Sequence, residues 1–95
     1  ESQLELPELK AMASLRLARL ELELGQGDSA LDRVRSMSSE FFQGSRSELE
    51  GDILVTLEQP LEAREAYLKA QSSLTEAGLN TAVVDLKLSA LPEGS

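Results

Sequence analysis

At 95 residues the chain is one domain or part of one, and its 41% hydrophobic content is enough for a small core. Seventeen acidic against nine basic residues leave a formal net charge of −8, and Lys and Arg form no cluster, which excludes a binder of phosphate backbones. His and Cys are both absent, so the commonest general base, nucleophile and transition-metal ligands are missing.

The first residues, ESQLELPELK, fall directly into an amphipathic pattern without a start methionine. They read as the opening of a piece of a longer protein, with any membrane anchor lying upstream. No apolar run in the piece is long enough to span a bilayer. Leu9, Ala13, Leu17, Leu20 and Leu24 recur at helical spacing and predict a first helix with that stripe facing the core, started near Pro7 and stopped at Gly25. A second stripe on the same helix, Ala11, Leu15, Ala18 and Leu22, is left over.

A second helix begins near Asp28, whose carboxylate suits a helix N-terminus, and carries Ala30, Leu31, Val34 and Met37. The stretch SMSSEFFQGS reads as a connection in which Phe41 and Phe42 plug the gap between hairpins, or serve as an exposed anchor for a partner. A third helix covers about 45–57 and ends at a turn before Pro60, which fits the first turn of a fourth helix bearing Leu61, Ala63, Ala66, Tyr67 and Ala70. After Gly78, Leu79, Val83, Leu86 and Ala90 define a fifth helix stopped by Pro92, with Val84, Leu88 and Leu91 on another side. Strand patterns are absent.

The two halves repeat. Ala18, Gly25, Ala30, Val34 and Met37 recur 33 residues later as Gly51, Glu58, Ala63, Tyr67 and Ala70. Two-helix repeats of about this size are tetratricopeptide-like and stack into a solenoid. Glycine inside a helix costs roughly 1 kcal/mol relative to alanine, so Gly51 needs a reason. Small residues at 18, 30, 51 and 63 supply it, because they let the two helices of each hairpin cross closely, with Val34 and Tyr67 wedged beside the crossings.

The segments ASLRLARLELELGQGDSALDRV, SELEGDILVTLEQPLEAREAYLKA and VVDLKLSAL resemble the C-terminal part of YfgM-type proteins, ancillary subunits of the bacterial SecYEG translocon. The matching signatures are RLAR at Arg16 to Arg19, Gly51–Asp52, Ala63 to Tyr67, and Leu86 to Leu88. Glu58 stands where such repeats usually carry glycine, and the acidic pair that often follows the last signature is missing. The resemblance implies an inner-membrane protein with one N-terminal transmembrane helix and a periplasmic repeat domain. It also implies association with SecYEG and with the membrane-anchored chaperone PpiD, in support of newly exported proteins.

The expected architecture is an all-α, tetratricopeptide-like α-solenoid over 1–95: two helical hairpins, about 11–43 and 44–76, plus a terminal helix at about 79–91, at the end of a longer array. The expected function is protein binding, with no enzyme activity, metal or cofactor. Candidate contact residues on the first helix of each hairpin are Arg16, Glu23, Glu50 and Leu54. The leftover stripes assign self-association, as a homodimer of the piece, to Leu15, Leu22 and Leu88. Acidic pairs at helical spacing, Asp28/Asp32, Glu48/Asp52 and Glu58/Glu62, read as a solvated face rather than a cation site, and Arg33, Arg35 and Arg64 as surface partners of Asp or Glu. Two rival readings are a scaffolding repeat of the cell envelope or cytoplasm, and a carboxylate-dependent enzyme domain using Asp28 and Asp32.

Overall fold

A computed structural model describes residues 6–38 and 40–92; Ser39, in the expected connection, lies outside them. Five helices follow one another: α1 (Leu6–Glu23), α2 (Gly27–Ser36), α3 (Gln43–Thr56), α4 (Pro60–Glu76) and α5 (Ala82–Ala90). α1 pairs with α2 and α3 with α4, α3 also lies against α1 and α2, and α5 caps α4. The result is an elongated slab of 49 × 31 × 17 Å, the two-hairpin solenoid with a terminal helix that the repeat predicts.

The 33-residue echo extends to the backbone. Gly25 and Glu58 both have positive φ, 81° and 62°, and end the turns that follow α1 and α3. Gln26 and Gln59 then occupy the N-cap positions of α2 and α4, and Pro60 takes the first turn of α4. Phe42 is also left-handed, at φ 55°, and precedes α3.

Small residues sit where the helices cross, as close approach requires, and larger ones fill the space beside them. One cluster joins Ala18, Ala30 and Val34 of the first hairpin to Leu49 and Ile53 of α3. The other joins Leu54, Ala63, Ala66, Tyr67, Ala70 and Val84, and Leu31 packs against both. At Gly51 the Tyr67 ring occupies the space that a Cβ would need, and Leu74 presses on Gly44 in the same way.

Both outer helices present their faces in the reverse of the sequence expectation. On α1 it is Ala11 and Ala18 that are buried, with Leu15 and Leu22 packed against the first cluster, while Leu9, Leu17, Leu20 and Leu24 are exposed. On α5 Val84 is buried and Leu88 and Leu91 pack against the second cluster, while Val83 and Leu86 are exposed. Close approach selects the alanine-bearing face of α1, because a row of leucines would hold α2 too far away. Leu79 falls in the turn before α5 and is also exposed, as is Leu61 on α4.

Candidate interaction surface

One polar network crosses the odd-numbered helices. Asp52 on α3 accepts a hydrogen bond from the Tyr67 hydroxyl at 2.6 Å and one from Arg19 of α1 at 3.2 Å. Lys87 of α5 donates to Glu48 at 2.7 Å and to Asp52 at 3.1 Å, and stands 6.0 Å from the centroid of the Tyr67 ring. Three consecutive first helices are thereby tied through one carboxylate.

The local electrostatics follow from this geometry. Burial pushes the Tyr67 hydroxyl well above the usual phenol range, and its hydrogen bond to the Asp52 carboxylate pushes in the same direction. Burial alone would lower Lys87, but its hydrogen bonds to Glu48 and Asp52 outweigh that and leave the ammonium above its ordinary value. Glu48 and Asp52, one of the acidic pairs read as solvated, are therefore the anchor of Lys87. Among the described residues, no group of three or more metal-ligating side chains converges.

On the opposite side, ion pairs sew the even-numbered helices to their neighbours. Arg33 makes a two-point contact with Glu21 at 2.9 and 3.1 Å, which holds that carboxyl below its usual range. Arg35 reaches Glu50 at 3.0 Å and Glu62 at 3.4 Å. Arg64 departs from its expected acidic partner: it donates to the Pro92 carbonyl at 2.9 Å and latches the end of α5 onto α4.

Of the expected contact residues, Arg16 and Glu23 are exposed on α1. Arg16 borders a shallow groove of about 320 Å³ with Leu15, Arg19, Ser45 and Leu49. Glu50 is turned toward Arg35 and the even-numbered helices. Leu54 is 1% exposed inside the second hairpin, where a partner cannot touch it. Leu15, Leu22 and Leu88, expected on an open stripe, are spent on the internal clusters. The sequence reading missed Asp52 and Lys87 as a linked pair. Glu48 and Asp52 at i, i+4 were visible, but their cation lies far along the chain with no local signal. Phe41 is partly buried and lines a cleft beneath the start of α1 with Pro7, Ala11 and Met37, while Phe42 is 37% exposed.

Among the described residues no helix is long and apolar enough to cross a membrane. A family model described as a tetratricopeptide repeat-like domain matches residues 2–93. Two curated relatives are each called an ancillary SecYEG translocon subunit. The one from Aggregatibacter actinomycetemcomitans is 31% identical and the one from Haemophilus influenzae 32% identical, each over 65 residues. Either alignment covers 68% of this chain but 32% of the relative, so the matched part spans about a third of each relative's length. No solved structure matches the chain.

Proposed function

The chain belongs to the tetratricopeptide repeat-like domain family, and from that premise we propose that it is a non-catalytic protein-binding module of a translocon-associated protein. The observation that carries the reading is the odd-helix face. Arg19, Asp52, Tyr67, Lys87 and Glu48 lock three helices into one strip, with Arg16 and Glu23 exposed along its α1 edge. A strip held by its own hydrogen bonds loses little freedom when it meets a partner, and preorganisation of that kind raises affinity.

The relatives' shared name supports the kind of partner: membrane-embedded export machinery of the SecYEG type. On this reading the domain works on the periplasmic side of the inner membrane, carried by an anchor outside these residues. It meets a PpiD-like chaperone there and assists exported chains.

Site-specific photo-cross-linking tests the proposal. A cross-linking residue replacing Arg16 or Glu23 in the full-length protein is expected to capture a translocon or chaperone subunit, and the same residue replacing exposed Leu68 on α4 is not. Equal capture from all three positions, or none from Arg16 and Glu23, overturns the assignment of the binding face.

A further inference from the structure

The first turn of α3, the last turn of α4 and the turn that follows it enclose a cleft of about 400 Å³. Its floor forms where Leu74 presses on Gly44. α4 ends in a glycine turn: the Gly78 N–H, at φ 73°, donates to the Thr75 carbonyl at 3.0 Å, and the Leu79 N–H to the Leu74 carbonyl at 2.8 Å. That pattern brings the residue after the glycine back over the last helical turn, so Leu79 and Leu74 line the cleft together, and Phe42 lines it from the α3 side. Leu79 is 59% and Phe42 37% exposed, and neither belongs to a core cluster. Tandem repeats stack through the sides of their helices. A cleft made of helix ends therefore stays open in an array of any length.

The repeat builds this cleft twice. Ala11 and Phe41, the repeat mates of Gly44 and Leu74, line a neighbouring cleft of about 330 Å³, and Glu40 lines both. The two differ in charge. Lys10 lines the earlier cleft, and its repeat mate in the later one is the uncharged Gln43. The later cleft has exposed Glu40 and Glu76 at its sides, and no Lys or Arg lines it. All nine basic residues of the chain are among the described ones, and none forms an ion pair with either carboxylate.

Phe42 has φ 55°, a left-handed conformation that a bulky side chain rarely adopts. Glycine or asparagine would make this turn with less strain, and the core makes no use of the ring. We propose that the cleft seats a bulky apolar side chain of a partner protein whose neighbouring residues are Lys or Arg. Its size falls in the range of ligand clefts, roughly 300–1,000 Å³. The apolar side chain meets Phe42, Leu74 and Leu79, and the flanking cations meet Glu40 and Glu76. An exposed aromatic ring adds a second attraction for a cation, and a chain of net charge −8 draws basic segments toward it. The proposal rests on the reading of the chain as a protein-binding module, but it uses a surface apart from the odd-helix strip.

An amide-resolved nuclear magnetic resonance titration of the full chain tests it. The probes are short capped peptides with a central leucine flanked by lysines, by glutamates or by serines. The lysine peptide should shift the amides of Phe42, Leu74, Ala77 and Leu79 saturably, and the glutamate peptide should not. Glu40→Lys/Glu76→Lys should weaken the lysine peptide about tenfold and admit the glutamate one, with an unchanged helical circular dichroism spectrum. Phe42→Asn suits the left-handed backbone, so it should raise the melting temperature and yet weaken the lysine peptide about tenfold. A raised melting temperature with undiminished binding would make the ring a structural accident and overturn the proposal. Equal binding of the lysine and glutamate peptides overturns it, as does no binding at millimolar peptide. Shifts confined to Arg16, Arg19 and Leu49 would also overturn it, while leaving the odd-helix reading in place. The same amides responding to zwitterionic lipid vesicles, or to the chain's own concentration without peptide, would make the occupant a membrane surface or a second copy, and the proposal fails.

Discussion

The ring of Tyr67 lies where a Cβ on Gly51 would have to be. Helix propensity alone says that Gly51→Ala should stabilise α3 by about 1 kcal/mol. The packing says the opposite, since the tyrosine is held on its far side by the Asp52 hydrogen bond and cannot swing away. Gly51→Ala is expected to destabilise the domain by about 1–3 kcal/mol, and Gly51→Leu by at least as much. The sign of the shift in the urea midpoint decides between the two arguments.

Tyr67 also sets an alkaline limit. Below pH 10 its hydroxyl is protonated whether the chain is folded or not. Above that ordinary value the unfolded chain loses the proton, while the folded chain, with its hydroxyl buried and bonded to Asp52, keeps it. The native state then binds more protons, so stability falls as pH rises past about 10. Lys87, also raised, adds loss in the same direction above its own ordinary range. Tyr67→Phe should cost about 1–2 kcal/mol at pH 7 and should flatten the decline of melting temperature above pH 10. A decline of wild-type steepness in the variant would assign the effect to other groups.

Glu58 is a left-handed residue in a place where its repeat mate is glycine. Gly25 has φ 81° and Glu58 has φ 62°. An L-residue in that conformation costs roughly 1–2 kcal/mol, partly offset because glycine gives the unfolded chain more freedom. Glu58→Gly should therefore stabilise by about 0.5–1 kcal/mol, read as a higher melting temperature. The reciprocal change, Gly25→Ala, should cost about 1 kcal/mol, and no neighbour within 4 Å confuses it with a steric clash.

Much of this fold was legible because the constraints that build it are local or periodic. Helix starts near Asp28, one residue after the observed Gly27, and at Pro60 follow from spacing and composition, as do the small residues at the crossings, and the 33-residue echo ties them together. The inner face of α1 follows the repeat and not the leucine count. Ala18 is the repeat mate of Gly51, so the face that bears Ala18 is the inner one. Leu54 follows the same logic, since it shares α3's inward side with Gly51. The Asp52–Lys87 contact could not be read at all. Its partners are far apart in sequence, and nothing in the periodicity of either helix calls for the other.

The reversed face of α1 yields the last prediction, a comparison of two leucines that lie two residues apart. Leu22 packs against the cluster of Ala18, Ala30, Val34, Leu49 and Ile53, whereas Leu20 is 50% exposed on the other side of the helix. Truncating a packed leucine removes its transfer energy and leaves a cavity, so Leu22→Ala should cost about 2 kcal/mol, at the lower end for core leucines because it is only partly buried. Leu20→Ala touches no internal cluster and should stay within about 0.5 kcal/mol. Equal destabilisation by both truncations would mean that α1 is turned differently about its axis, and that the exposed leucines are themselves part of the core.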